Sequence, residues 1–85
     1  MILRETSKFS KLRKKIKNIA ERDALKAAVI AIRDNPIIGK KLKGELDHLR
    51  SYSYHAGGQA RRIIYLLEKD AIIFFSFGPR QGIYK

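Results

Sequence analysis

The feature that most constrains this chain is a change of apolar period at Asn35-Pro36. Before it, Phe9, Leu12, Ile16 and Ile19, and then Leu25, Ala28, Val29 and Ile32, recur at the spacing of helices that turn one face to a core. Proline disfavours helix at the residue preceding it and so closes the second stretch. After it, Leu49 to His55, Ala60 to Glu68 and Ala71 to Gly78 are rich in Ile, Tyr and Phe, which favour strands. The order predicts two helices followed by three strands.

The connections sharpen this. Thr6 or Ser7 offers a cap for the first helix, and the apolar Met1 to Leu3 before it suits an edge strand. Gly57-Gly58 separates the first two long strands, and Glu68-Lys69-Asp70 is a short turn between the second and third. Sequential strands with short turns form an antiparallel meander. The expected fold is therefore α+β: an N-terminal αα-hairpin packed on one face of a small antiparallel sheet. With 85 residues, the chain is expected to form one domain over residues 1–85. The third strand is apolar on both sides, so both sheet faces are expected to be partly covered. Arg61, Arg62 and Arg80 are left at strand ends.

Charge narrows the partners. Nineteen Lys and Arg against eight Asp and Glu give a formal net charge of +11. Such a surface binds polyphosphate through counterion release without a sequence code, and it suits an acidic protein partner equally. The absence of cysteine excludes a disulfide scaffold, a cysteine-ligated zinc site and a thiol nucleophile. Apolar runs such as Ala71 to Phe75 are too short for a membrane span, and Met1 to Lys8 lacks the apolar stretch of a signal peptide. A cytoplasmic protein without membrane contact is the expectation.

Few reactive side chains are present. His48 and His55 are not at ligand spacing and no carboxylate cluster accompanies them, so neither a metal nor another cofactor is expected. No glycine-rich loop with a Walker lysine precedes a helix, which argues against nucleotide hydrolysis. What remains, Arg, Lys, Tyr and His on a sheet, suits metal-free RNA cleavage, in which the ribose 2′-OH attacks the adjacent phosphate. Arginine stabilises the charged phosphorane with its planar fork. His55, with an ordinary pKa of about 6.5, is a candidate acid or base, although a histidine beside turn glycines is also simply solvated. Tyr84 suits stacking on a splayed base or packing of the C-terminal tail.

Taken in order, Pro36, Gly39-Lys40-Lys41-Leu42-Lys43-Gly44, Leu49-Arg50-Ser51-Tyr52, Arg62-Ile63-Ile64-Tyr65, Gly78-Pro79-Arg80 and Ile83-Tyr84-Lys85 resemble the RelE/ParE superfamily of type II toxin-antitoxin toxins. The resemblance covers nearly the whole chain. It implies a toxin neutralised by a cognate antitoxin and, for RelE-like members, a ribosome-dependent mRNA endonuclease that needs no metal. Carried over from the resemblance, Arg62, Arg80 and Tyr84 are catalytic and Arg50 falls at a basic strand position; His55 joins the catalytic candidates on its own chemistry, and Lys40, Lys41, Lys43 and Arg61 join Arg50 as candidates to bind RNA of the ribosome and its mRNA. Ser53 and Tyr52 stand where relatives carry arginine and lysine. The superfamily thus leaves two alternatives: a ParE-like toxin that inhibits DNA gyrase without nuclease activity, or a catalytically inactive relative.

Overall fold

The computed structural model describes residues 1–79. The order is β1 (Ile2–Glu5), α1 (Ser7–Lys14), α2 (Ile19–Asp34), β2 (Lys40–Lys41), β3 (Leu49–Ala56), β4 (Gln59–Leu67) and β5 (Ala71–Pro79), with a 3-10 turn at Gly44–Leu46 before β3. The strands form one sheet in the order β1-β5-β4-β3-β2. The α+β reading holds: β2 to β5 are antiparallel, and β1 makes the sheet mixed by pairing in parallel with β5. The parallel pair is possible because α1 and α2 and the first part of the sheet intervene between β1 and β5, a connection long enough to cross over.

Local chemistry sets the helix boundaries. The Thr6 hydroxyl accepts from the Phe9 N–H at 3.1 Å and donates to the Phe75 carbonyl at 2.7 Å, so one side chain both caps α1 and fastens it to β5. The first apolar stretch does not run through to Ile19 as its spacing suggests. α1 ends at Lys14, Ile16 is buried in the connection, and Ile19 begins α2 with 73% of its surface exposed. The cause is Asn18, whose side chain accepts from the Glu21 N–H at 3.0 Å and starts a new helix there. At the other end α2 stops at Asp34, before Asn35-Pro36.

The β3–β4 hairpin turns on Gly57 and Gly58 at φ 59° and 80°, the paired left-handed conformations of a tight two-residue turn. Between β4 and β5 the register slips. Ile64 faces Ser76 and Tyr65 faces Phe74, which leaves Phe75 as an extra residue in β5. With strict alternation Phe74 and Phe77 would point to opposite faces. The bulge turns both toward α1, where Phe9 meets them at ring-centroid distances of 5.5 and 5.0 Å. Leu25, Ala28 and Ile32 of α2 complete this core over Ile63, Tyr65 and Ile72. Leu49 and Ile64 are buried on the other face, in keeping with a sheet covered in part on both sides.

The bidentate pair of Arg13 with Glu5, at 2.9 and 3.0 Å, links α1 to β1 and holds the Glu5 carboxyl below its usual range. It is largely exposed and so contributes little to stability. The fold depends on the core instead. Ile63→Ala is expected to cost about 3 kcal/mol of stability, as for other fully buried large-to-small changes. Ile19→Ala is expected to stay within about 0.5 kcal/mol. Urea denaturation of the two variants checks the contrast, and equal losses would mean that α2 starts in a different phase.

Candidate nucleic-acid interface

Strand alternation divides the basic residues of the sheet between its faces. Tyr52, Tyr54, Ile63 and Tyr65 are turned to the helices. Ser51 and Ser53 of β3 and Arg62 of β4 therefore lie on the opposite face, where Ser53 is the cross-strand partner of Arg62. Along this face, against the sheet edge, runs a groove of about 500 Å³ lined by Lys40, Lys41, Lys43, Ser51, Ser53 and Arg62, among others. Four of its described lining residues are cationic and none is acidic. Small hydroxyl side chains form the floor and cations the wall. A chain of phosphates fits such a surface, because cations in a concave site focus potential on an anion and serines add hydrogen bonds without bulk.

The structure thus brings Lys40, Lys41, Lys43 and Arg62 together. It places the other candidates elsewhere. Arg61 is on the helix side, 3.2 Å from the Glu21 carboxylate and 3.3 Å from the Gln59 side-chain oxygen. The guanidinium of Arg50, also on the helix side of the sheet, donates to the Gly39 carbonyl at 2.7 Å. His55 is exposed on the groove's face, one alternation beyond Ser53 or about 7 Å along the strand, and is outside the groove lining. Arg80 and Tyr84 lie outside the described residues. Among the described residues no group of three or more His, Asp or Glu side chains is placed to hold a metal ion.

Ser51 and Ser53 line the candidate groove and were not among the residues that sequence reasoning singled out for it. The signal was present, since Ser51-Tyr52-Ser53-Tyr54 alternates small polar and aromatic residues at the period of a strand. A second groove, of about 590 Å³, lies between α1 and α2. Its floor includes Phe9, Ile16 and Leu25, and its rim Arg13, Arg22 and Lys26. Among the described residues, neither helix is long and apolar enough to cross a membrane.

A family model of the ParE-like toxins of type II bacterial toxin-antitoxin systems matches residues 3–85. The chain belongs to this family. The toxin is similar in fold to a chain of the intact RelBE toxin-antitoxin complex of Escherichia coli, with a TM-score of 0.73 at 16% identity over 94% of this chain and 96% of that one. It is also similar to a conserved hypothetical protein of Helicobacter pylori, with a TM-score of 0.55 at 19% identity over 94% of each chain. At these identities the likeness concerns the fold. No curated protein is significantly similar to the toxin in sequence.

Two tyrosines behind the groove titrate late. Burial pushes the Tyr54 hydroxyl up from 10 to about 12, with Arg61 opposing and Glu21 reinforcing. Tyr65 is raised as well, by burial, against the Gly39 N–H and the Arg50 charge. A phenol whose pKa is raised by folding stabilises fully below its unfolded value, and that contribution is lost as pH climbs through the folded value. The toxin is therefore expected to lose stability from about pH 10 through about pH 12. Phenolate absorbance read beside circular dichroism checks this, and Tyr54→Phe should remove part of the slope. Ionisation of all tyrosines at pH 10 without loss of fold would contradict it.

Proposed function

We propose that this type II toxin is a ribosome-dependent, metal-free mRNA endonuclease whose substrate lies in the sheet groove. The observation that carries the reading is the convergence of Arg62 with Lys40, Lys41 and Lys43 on one serine-floored surface. Lysines on the wall neutralise phosphates on either side of the scissile bond, a sequence-independent source of affinity. Arg62 presents a permanently charged fork to the phosphorane formed when the 2′-oxygen attacks, where the added negative charge is greatest. The proton leaves the 2′-OH for a base, and an acid protonates the departing 5′-oxygen. His55, on the same face, and Tyr84 are the groups assigned to these transfers, with Arg80 as a second cation.

The helical groove is assigned to the cognate antitoxin. Its apolar floor and basic rim are complementary to an amphipathic segment with acidic flanks, which would fold as it docks. Charge reversal at Arg22 and Lys26 should then prevent the co-expressed antitoxin from relieving growth arrest. Continued rescue and co-purification would place the antitoxin elsewhere.

A second reading is favoured by the match to ParE-like toxins. On this reading the target is DNA gyrase, and the cationic groove would dock the toxin on it without chemistry. One set of assays separates the two. Under the nuclease reading, Arg62→Ala lowers cleavage of translated mRNA about a hundredfold, by primer extension, and weakens growth arrest. Intact mRNA together with inhibited supercoiling by gyrase would replace that reading with the second.

A further inference from the structure

The segment from Pro36 to Gly39 enters β2 held from two sides. Tyr65, fully buried in β4, donates its hydroxyl hydrogen to the Pro36 carbonyl at 2.7 Å and accepts from the Gly39 N–H at 2.9 Å. Its cross-strand partner Arg50 donates to the Gly39 carbonyl at 2.7 Å. Both backbone polar groups of Gly39 are thus taken by side chains. The ring sits so close that a Cβ at Gly39 would lie 2.6 Å from its hydroxyl oxygen and 2.7 Å from Cε1. Space, rather than backbone angle, requires glycine here.

The next two residues are Lys40 and Lys41. They make the whole of β2, paired only with Ser51 and Arg50. A ladder this short does not hold itself in place. Leu42 adds one more tie, its N–H on the Leu49 carbonyl at 3.0 Å. The wall of the cationic groove is therefore a short edge segment whose entry point is fixed by Tyr65 and Arg50 from beneath the sheet.

We propose that Tyr65 and Arg50 are positioning residues for this groove: by clamping Gly39 they fix the lysine wall opposite Arg62 and so set how many phosphates the groove engages. The proposal rests on the reading of the groove as a polyphosphate site and adds the residues that act on it through Gly39. Neither side chain touches the ligand. Arg50 acts through a carbonyl, so a lysine, with a single point charge on a flexible stem, replaces it poorly.

The test uses the full-length toxin and a fluorescein-labelled single-stranded RNA of about twelve nucleotides, with affinity read by anisotropy between roughly 50 and 200 mM salt. The variants are Tyr65→Phe, Arg50→Met and Arg50→Lys, beside the reference Lys41→Glu/Lys43→Glu. The expected result for Tyr65→Phe and Arg50→Met is about tenfold weaker binding at low salt. The plot of log affinity against log salt should be shallower by about 0.7 for each phosphate lost from single-stranded RNA. Arg50→Lys should recover only part of that slope. Faster amide exchange at Lys40 to Leu42, with the exchange of β4 unchanged, would accompany it.

A lower urea midpoint with the wild-type salt slope would show the clamp to be merely structural and overturn the proposal. Wild-type affinity and slope in the lysine reference would instead remove the groove as the polyphosphate site, and the positioning role with it. If Tyr65→Phe does not fold, the half-exposed Arg50 variants decide between the same outcomes.

Discussion

A buried hydroxyl has to be satisfied, and at Tyr65 this requirement organises the molecule. Burying a phenol without partners costs a few kcal/mol, about as much as a core leucine contributes. Tyr65 sits in β4, between β3 and β5, with its ring among the helices and 6.3 Å from Phe74. Its oxygen reaches through the core to Pro36 and Gly39, where the chain leaves α2 and has no ladder of its own. The same side chain therefore packs the core and ends the helical layer. The bulge at Phe75 belongs to the same arrangement, because it sets Phe74 opposite Tyr65 while keeping Phe77 on Phe9.

The pair Arg61-Arg62 shows how strand alternation sends one sequence motif into two different environments. Their neighbouring positions send the two guanidinium groups to opposite faces. Arg61, with only 16% of its side chain exposed, pairs with Glu21 and braces β4 against the first turn of α2, beside Tyr54. Arg62 joins the lysines of the groove. A basic dipeptide at a strand end carries no more weight as a binding motif than one arginine until its faces are assigned. That is why charge composition alone offers more candidate residues than one face of the sheet can bring together.

Much of the fold was legible because its signals are local. Pro36 stops a helix, Gly57-Gly58 turns a hairpin, and the Ile, Tyr and Phe content marks β3 to β5. What was not legible depends on contacts far apart in the chain. β1 pairs with β5 only after the rest of the fold has brought Ile2 beside Ala71, and nothing in Met1 to Leu3 specifies a parallel partner. The break between the helices was local, but Asn18 and Glu21 were outweighed by an apolar spacing that continues through Ile16 to Ile19. At the candidate site, Lys40, Lys41, Lys43 and Arg62, each singled out in the sequence for its charge, line one groove. Arg50 carried the same charge signal, yet its guanidinium is occupied by the Gly39 carbonyl, a partner 11 positions away that no pattern of charges reveals.

The two grooves lie on opposite sides of the sheet, and this geometry limits how one partner could act on both. An acidic helix seated between α1 and α2 neutralises charge on its own side, while the sheet groove faces away from it. Screening reduces the influence of that partner over a Debye length of about 8 Å, less than the shortest dimension of the molecule, 22 Å. Neutralisation by charge alone would then be incomplete, and occlusion needs a chain that passes round an edge of the sheet. Spanning 22 Å takes about seven extended residues, so the demand on length is modest. Among the described residues the sheet has two edges, β1 and β2. The β1 edge exposes Ile2 and Leu3, with Met1 just before them, which reward apolar contact, whereas β2 presents Lys40 and Lys41 and leads directly into the groove. A segment with an amphipathic helix followed by an extended acidic stretch would find its complement in that order along the β2 edge, meeting the lysine wall before it reaches Arg62.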